Sequence, residues 1–347
     1  MRSSIRIAAV VSVAALALAA CGNSTPTTPG SSGTTTAVKV LKVGMAYDVG
    51  GRGDQSFNDA AAAGLDKAKK DLGVVTKEAT AVNGEPESAR EERLLQLIDA
   101  GYTSVVAVGF AYAPAVKKVA AANPEAKIAL IDSTDAAGPN IENLTFAEQE
   151  GSFLVGAAAA LKSKTGNIGF VGGVNTDLIK KFEAGYVAGA KKVNPAIKIQ
   201  VKYLTQPPDF SGFGDPAKGK TAATGMFQQG ADVVYHAAGG SGGGVFTAAA
   251  SAGKMAIGVD SDQALTAPAD VRDVIITSML KKVDVATFDF IKSLTEGKFV
   301  AGTKVYDLKA GGVGYSTTGG KIDDIKAKIE GYKEQIISGK IVVPTKP

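Results

Sequence analysis

From Lys39 onward, short apolar runs rich in β-branched residues alternate with longer segments whose apolar residues recur at helical spacing. This alternation is typical of parallel sheets flanked by helices, so the sequence predicts an α/β fold. The predicted strands are Val40–Tyr47, Ser104–Gly109, Lys127–Ile131, Leu144–Phe146, Asn167–Gly172, Ile197–Leu204, Asp232–Ala237, Met255–Val259 and Val274–Ser278. So many strands fit two sheets better than one, which predicts two lobes with a hinge near Ala147.

One predicted strand, Ile197–Leu204, differs from the others in its polarity. Its residues alternate strictly between apolar (Ile197, Ile199, Val201, Tyr203) and polar (Lys198, Gln200, Lys202). Such alternation is expected of a strand with one exposed face, which predicts a place at a sheet edge. The other strands are more uniformly apolar and are predicted to be central.

The start of the chain has the features of an exported protein. Arg2 and Arg6 precede an apolar run that is too short to span a bilayer with room to spare, as in a secretory signal peptide. The run ends in Leu18-Ala19-Ala20-Cys21, which resembles the bacterial lipobox. We therefore predict a lipoprotein signal peptide at residues 1–20 and a lipid-modified, palmitate-bearing mature N-terminus at Cys21.

The segment after that point predicts a tether. Residues 21–38 are uncharged and consist largely of Ser, Thr, Pro and Gly, the composition of a flexible linker. The alternative is that Cys21 is an incidental residue of an ordinary secretory signal or of an uncleaved anchor. On the lipobox interpretation the protein is held at the extracytoplasmic face of the cell membrane.

Composition and charge limit the possible partners. The chain is 45% hydrophobic and 21% charged, as in globular proteins. Its formal net charge of +4 falls to about +2 without Arg2 and Arg6, because 36 basic residues then face 34 acidic ones. The remaining basic residues form no dense block, which argues against nucleic acid as a partner. Cys21 is the only cysteine, so an intrachain disulfide is excluded.

Catalytic chemistry has few candidate residues in this sequence. His236 is the only histidine, and its apolar strand predicts a packed or hydrogen-bonded core residue. If His236 lies in the core, no other histidine is available for a Ser-His-Asp triad. A zinc site lacks both cysteine and histidine partners. The glycine-rich run 239–244 lacks the lysine of a phosphate loop and predicts instead a tight turn that lets a ligand approach the backbone. We predict no enzyme activity, no metal and no cofactor.

Polar and glycine residues follow most of the predicted strands. They are Asp48 with Gly50 and Gly51, Gly109 with Phe110, Asp132, Asn175, the run 239–244, and Asp260. Each one alone is also explained as an ordinary loop or helix-capping residue. Ligands of parallel α/β sheets bind beyond the carboxyl ends of the strands, so three acids in such positions favour a binding site there.

Six short blocks in this order resemble the basic membrane protein family of lipoproteins, whose characterised members are purine-nucleoside-binding components of ABC transporters. The blocks are DVGG at 48–51, DQSFN at 54–58, KFEAG at 181–185, AAGGSG at 237–242, GVDSDQ at 258–263 and TSMLK at 277–281. The resemblance covers nearly all of the mature chain. It implies a type I periplasmic-binding-protein fold, with two Rossmann-like lobes of parallel sheet joined by three crossovers and the ligand between them.

On that fold we expect lobe I to comprise 39–147 plus about 278–303. Lobe II is then expected to comprise 148–277 plus about 304–347. The resemblance implies that the protein captures a nucleoside, a purine nucleoside in the family's pattern, and delivers it to an ABC permease. A monomer is expected, because such a receptor docks one face on its transporter.

The resemblance also assigns roles to residues. Phe57 and Phe182 would clamp the base from opposite lobes, where stacking on an aromatic ring contributes roughly 1 to 3 kcal/mol. The other implied contacts are Asn58 and Asp132 to the base edges, Asp260, Lys281 and the Gly239 backbone to the ribose, and Asp48 beside the first loop. Lys282 is adjacent to Lys281, and the family pattern favours Lys281 as the residue that faces the cleft.

Two segments depart from the family pattern. Thr205–Gly214, with Pro207-Pro208 and Phe210, is longer than usual, and Asn175-Thr176-Asp177 replaces a more apolar loop. These differences predict a shifted specificity among nucleosides. The alternatives are a receptor for a monosaccharide or small signalling molecule on the same fold, and an enzyme or antigenic surface protein without transport.

Overall fold

The computed structural model describes residues 40–347, which form one compact unit. The predicted signal peptide, the lipidation site Cys21 and the linker lie outside the described residues. The strands are β1 (Lys42–Tyr47), β2 (Val75–Thr80), β3 (Ser104–Ala107), β4 (Lys127–Ile131), β5 (Ile141–Phe146), β6 (Asn167–Val174), β7 (Lys198–Thr205), β8 (Val233–Ala237), β9 (Met255–Asp260), β10 (Ile275–Lys281), β11 (Gly302–Tyr306) and β12 (Val313–Tyr315).

Helices separate most of these strands along the chain. They are α1 (Phe57–Leu72), α2 (Glu87–Asp99), α3 (Ala113–Ala122), α4 (Glu148–Lys162), α5 (Asp177–Val193), α6 (Pro216–Gln228), α7 (Gly242–Ala252), α8 (Gln263–Thr266), α9 (Val283–Thr295) and α10 (Lys326–Ile337). None of the helices within residues 40–347 combines the length and the apolar character that crossing a membrane requires.

The strands form two six-stranded sheets, as the sequence predicted. The order is β11-β5-β4-β3-β1-β2 in the first sheet and β12-β10-β9-β8-β6-β7 in the second. All neighbours are parallel except β10 and β12, which are antiparallel. Strand β7, which covers most of the polar-alternating segment, lies at an edge, and this prediction is confirmed.

Three strands, β2, β11 and β12, were not predicted from the sequence. All three are edge strands. Strand β2 reads VTKEAT, and none of its residues is buried. An edge strand buries little surface, so no apolar run marks it in the sequence.

The two sheets define two lobes, which the chain connects three times. It passes from β5 to α4 at Ala147, from β10 to α9 at Lys282, and from β11 to β12 through residues 307–312. Strand β10 belongs to the second sheet through Lys281, so the predicted return to lobe I at about residue 278 lies too early in the chain. The residues that immediately precede the second crossover therefore belong to lobe II.

Helices cover both faces of each sheet. In lobe I, α2 and α3 pack on one face and α1 and α9 on the other; in lobe II, α6 and α7 cover one face and α4 and α5 the other. Helices α4 and α5 cross closely at Gly156, Gly185 and Gly189. A Cβ at any of these positions would overlap a backbone carbonyl of the facing helix. The glycines therefore let α5 pack directly against the backbone of α4. Helix α5 carries Phe182, which points toward the other lobe.

Candidate functional site

A cavity of about 540 Å³, a figure that includes its part open to solvent, lies between the lobes at the carboxyl ends of the strands. Its size is in the range of small-molecule sites. All eight residues singled out from the sequence line it, namely Asp48, Phe57, Asn58, Asp132, Phe182, Gly239, Asp260 and Lys281. Asp54 and Phe213 also line it, although the sequence assigned them no role, and so does Phe110, which the sequence marked only as a residue that follows a strand.

The loop between β1 and α1 is organised by Asp54. Its carboxylate accepts hydrogen bonds from the backbone amides of Ser56 (2.9 Å), Asn58 (2.8 Å) and Asp59 (3.1 Å). These are among the amides that a helix N-terminus leaves without partners, and a carboxylate there also complements the helix dipole. Asp54 thereby starts α1 at Phe57, which places that ring at the cavity wall.

The amide of Asn58 joins the same loop to the end of β1. Its Oδ1 accepts from the Asp48 backbone amide at 3.1 Å, and its Nδ2 donates to Asp54 at 3.0 Å and to the Val49 carbonyl at 3.4 Å. Most of the hydrogen-bonding capacity of this side chain is therefore used within lobe I. One lone pair on Oδ1 and the weakly held N–H toward Val49 are what it can offer to a ligand.

Phe57 and Phe182 enter the cavity from opposite lobes. Phe57 is the first residue of α1, and Phe182 lies in the second turn of α5 with 3% of its surface exposed. The ammonium of Lys281 lies 4.9 Å from the centre of the Phe57 ring and 5.6 Å from that of Phe182. Both rings thus face one point in the cavity, a geometry in which a cation is attracted to each ring face.

Lys281 is a buried cation with carboxylates around it. Its Nζ lies 2.5 Å from Asp132 Oδ2 and 3.6 Å from Glu148 Oε1, and only 2% of its side chain is exposed. Burial alone would lower the pKa of Lys281, but the charges of Asp132, Glu148 and Asp260 more than offset this, so its pKa lies above the ordinary value. The ammonium therefore stays charged, and it links Asp132 of lobe I to lobe II. Lys282 is the residue that precedes α9, and it does not line the cavity.

Asp48 and Asp260 are carboxyl groups in a poorly solvated environment. Burial raises the pKa of Asp48 to about 6, against the opposing effects of the Val49 amide and Arg90. Burial raises the pKa of Asp260 to about 6 as well, although Lys281 and a hydrogen bond from Ser56 Oγ (2.7 Å) oppose it. A ligand that donates a hydrogen bond to either carboxyl group would replace the solvation that the group loses on burial.

The Ser56 bond also joins the lobes, because Ser56 belongs to lobe I and Asp260 to lobe II. A second connection runs beside it, where Gln263 Nε2 donates to the Gln55 carbonyl at 3.0 Å. The loop before α1 is therefore bonded directly to the far wall, and the structure holds the cleft closed.

Gly239 adopts φ = +53°, and a Cβ there would lie 3.0 Å from the Phe213 carbonyl oxygen. This is the left-handed region, in which glycine carries no steric cost. The turn 239–241 leads into α7, as the glycine-rich run predicted. The absence of a side chain lets the segment that carries Phe213 close against the turn.

His236 does not face the cavity, and its prediction as a core residue is confirmed. It is fully buried, its Nε2 lies 3.0 Å from Gln263 Oε1, and it packs edge-on against Phe246. Burial lowers the pKa of His236 to about 4, so the imidazole is neutral at physiological pH. In the described range 40–347, no group of three or more His, Cys, Asp or Glu side chains is placed to hold a metal ion.

Comparison with known proteins agrees with this geometry. Residues 41–346 match the family model Bmp, described as an ABC transporter substrate-binding protein, PnrA-like. The chain belongs to the Bmp family. As a substrate-binding component of ABC transporters, this Bmp protein is not an enzyme.

Its relatives include an "ABC transporter nucleoside-binding protein BmpA" of Lactococcus lactis, 37% identical over 91% of this chain and 93% of that one. "Basic membrane protein A" of Borreliella burgdorferi is 35% identical over 88% of each chain. A solved ABC transporter solute-binding protein of Aeropyrum pernix is 33% identical with a TM-score of 0.76, over 88% of this chain and 94% of that one. These matches confirm the predicted family and the two-lobed solute-binding fold.

Proposed function

We propose that this Bmp protein is a lipid-anchored receptor that binds a purine nucleoside in the cleft and delivers it to an ABC permease. The observation that carries the proposal is the pair of rings, Phe57 and Phe182, that enter one cavity from opposite lobes. A flat heterocycle stacks on aromatic faces whatever hydrogen-bond donors and acceptors its edges carry. Because each lobe contributes one ring, both rings can stack on the base only when the lobes are closed. A relative of this chain carries the name of a nucleoside-binding protein, which supports the same ligand class.

The polar groups around the clamp suit the rest of a nucleoside. Asp132 Oδ1 is buried and has no hydrogen-bond partner among the described residues, so it is free to accept from a ring N–H or an amino group. We assign the remaining lone pair of Asn58 to the other base-edge contact. Asp260 and Lys281, with the Gly239 backbone, are assigned to the ribose hydroxyls. Asp48 is assigned a place beside these contacts, at the first loop.

The test is calorimetric titration of the full chain, purified in a mild detergent, with inosine, guanosine, adenosine and cytidine. We expect saturable heat with at least one purine nucleoside and weaker binding of cytidine, because a purine offers the rings a larger face. Ribose and arabinose are the comparison ligands. Tight binding of a free sugar with no heat from any nucleoside would replace the proposal by the monosaccharide alternative.

Two variants examine the clamp itself. Phe57→Ala and Phe182→Ala should each weaken nucleoside binding by about 5- to 150-fold, the equivalent of roughly 1 to 3 kcal/mol of stacking. Phe288→Ala is the matched control, because that half-buried ring packs against Lys67 on the outside of lobe I, 4.4 Å from its ammonium. Equal affinities for all four proteins would contradict the clamp.

The membrane and permease parts of the proposal need tests in cells. Cys21→Ser should abolish incorporation of labelled palmitate and release the protein from the membrane fraction. Uptake of the identified nucleoside should fall when the gene is deleted and return when it is restored. Uptake that is unchanged by the deletion would argue against delivery to a permease. Size-exclusion chromatography with light scattering tests the monomer, and nucleoside recovered unchanged after incubation tests the absence of catalysis.

A further inference from the structure

We propose that Phe210 is a closure residue: it reaches from lobe II across the cleft mouth, packs on Arg90 and Phe110 of lobe I, and slows the escape of the bound ligand. The effect on ligand release depends on the proposed function. The contact between the lobes does not, and it can be measured without any ligand.

The segment that carries Phe210 is fixed to lobe II on both sides. It joins β7 to α6 and includes the stretch that the sequence predicts to be longer than in the family pattern. On one side, Thr205 Oγ1 donates to the Asp209 carbonyl at 2.6 Å, and Asp209 Oδ1 accepts from the Ser211 amide at 2.8 Å. On the other side, Ser241 Oγ donates to the Gly212 carbonyl at 2.7 Å. These bonds make the segment a rigid projection of lobe II.

The two phenylalanines of this projection point to different places. Phe213 lines the cavity. Phe210 meets Phe110 edge to face, with ring centres 5.8 Å apart and an interplanar angle of 71°. Phe110 also lines the cavity, but from lobe I, at the turn that follows β3. The Phe210–Phe110 pair therefore bridges the lobes at the rim of the site.

Arg90 gives Phe210 a second partner in lobe I. The guanidinium carbon lies 5.7 Å from the centre of the Phe210 ring and 5.8 Å from that of Tyr112, which belongs to lobe I. Only 5% of Arg90 is exposed. Opening the cleft would remove one of its two aromatic neighbours and admit water to a buried cation, so closure restores a desolvated cation–π contact.

Carboxylates hold Arg90 in this position. Its Nε lies 3.7 Å from Glu85 Oε1, and one terminal nitrogen lies 3.9 Å from Asp48 Oδ1. Glu85 is in turn paired with Arg93 at 2.6 Å. Asp48 lines the cavity, so the Phe210 contact adjoins the site directly. The partner of Phe210 is thus a preorganised part of lobe I, not a mobile surface side chain.

Because Phe210 contacts lobe I only in the closed form, it should act on dissociation more than on association. We expect Phe210→Ala to raise the nucleoside dissociation rate roughly tenfold, the effect of losing one aromatic pair and one partly desolvated cation–π contact. The association rate should stay within about twofold. Phe210→Tyr keeps the ring and should behave like the parent.

The experiment is stopped-flow measurement of both rates on the full chain, using the nucleoside that binds. Phe288→Ala is again the control, because it removes a phenylalanine–lysine contact that lies wholly within lobe I. An unchanged dissociation rate in Phe210→Ala would overturn the proposal. So would an equal change in Phe288→Ala, which would indicate a general loss of stability.

A second readout needs no ligand and separates this proposal from the nucleoside assignment. In a Cys21→Ser chain, which has no other cysteine, spin labels at Lys117→Cys of lobe I and Gln228→Cys of lobe II report the interlobe distance. Both positions are exposed. Phe210→Ala should broaden the distance distribution toward longer values in the ligand-free protein. Identical distributions with and without Phe210 would overturn the closure role even where nucleosides bind, and a shift where none binds would leave it standing.

Discussion

Asp132 of lobe I and Asp260 of lobe II hold the same rare backbone conformation on opposite walls of the cavity. Their φ angles are 69° and 63°, in the left-handed region that non-glycine residues seldom adopt. Each stands at the carboxyl end of a strand, after β4 and at the end of β9, and both act on the ammonium of Lys281. Strained residues persist where the surrounding structure over-determines them, and binding sites are the usual place.

The Asp132–Lys281 pair should show strong energetic coupling. Asp132→Asn and Lys281→Met should each lower the free energy of unfolding by about 3 kcal/mol, because each leaves a buried group without its partner. The double variant should lose about 1 to 3 kcal/mol less than the sum. Asparagine tolerates the left-handed conformation, so the change at residue 132 does not add backbone strain. Urea unfolding of the four proteins gives the coupling, and strictly additive losses would contradict it.

Asp260→Asn should stabilise the ligand-free protein at neutral pH. The folded-state pKa of Asp260 is about 6 against an ordinary value of 3.8, so the folded protein binds a proton more readily than the unfolded chain. The resulting penalty, on the order of 3 kcal/mol, is complete above about pH 6 and disappears as the pH falls toward 4. The stability difference between variant and parent should follow that course.

Urea unfolding of both proteins at intervals from pH 7.5 to 4 measures this difference. Nucleoside titration at pH 7.5 is the companion measurement, in which the variant should bind more weakly if the proposed contact between the Asp260 carboxylate and the ribose is made. A variant that is less stable than the parent at pH 7.5 would show that the charged form of Asp260 is favoured in the fold.

Gly189→Ala should destabilise the protein by about 1 to 3 kcal/mol, the usual cost of overpacking. The added methyl would overlap the Phe153 carbonyl oxygen at the crossing of α4 and α5, and backbone cannot yield as a flexible side chain can. Gly225→Ala on α6 is the control, because a Cβ there meets nothing within 4 Å and alanine favours a helix by about 1 kcal/mol. Thermal melting should give shifts of opposite sign, and two shifts of the same sign would refute this account of the crossing.

Asp54→Ala should loosen the start of α1 specifically. The carboxylate accepts hydrogen bonds from the amides of Ser56, Asn58 and Asp59. Its loss should lower the free energy of unfolding by about 1 to 2 kcal/mol, as for other helix caps. Hydrogen exchange should accelerate at those three amides and not at the central strands. Asp99→Ala, at the end of α2, is a control that removes an acid from a helix without removing a cap. Unchanged protection at the start of α1 would show that Asp54 is not its cap.

The central strands could be predicted because burial on both faces leaves an apolar run that is visible in the sequence. Strand β8, with every residue buried, is such a case, and β2, with none buried, is the opposite one. The residues of the candidate site were accessible for a related reason: the carboxyl ends of parallel strands converge, so acids after β1 and β4 lie near the same edge wherever the sheet forms. The family resemblance supplied Phe57, Phe182 and Lys281.

Other parts of the site could not have been found in this way. Phe210 and Arg90 are 120 positions apart by their numbers, and nothing local in either segment indicates that they meet. Glu148 reads as an ordinary acid in the first turn of a helix, yet it lies 3.6 Å from the buried ammonium of Lys281. Such contacts depend on how two separately folded lobes approach each other.

The sequence by itself determined that the chain has two largely parallel sheets and that acids and glycines gather beyond their strands, because periodicity and strand-end chemistry are local properties. The tertiary structure alone decided which carboxylates surround the ammonium of Lys281, which buried atoms lack a hydrogen-bond partner and which side chains bridge the lobes. Those properties depend on burial and on distances between residues far apart in the chain. No local pattern of residues specifies them.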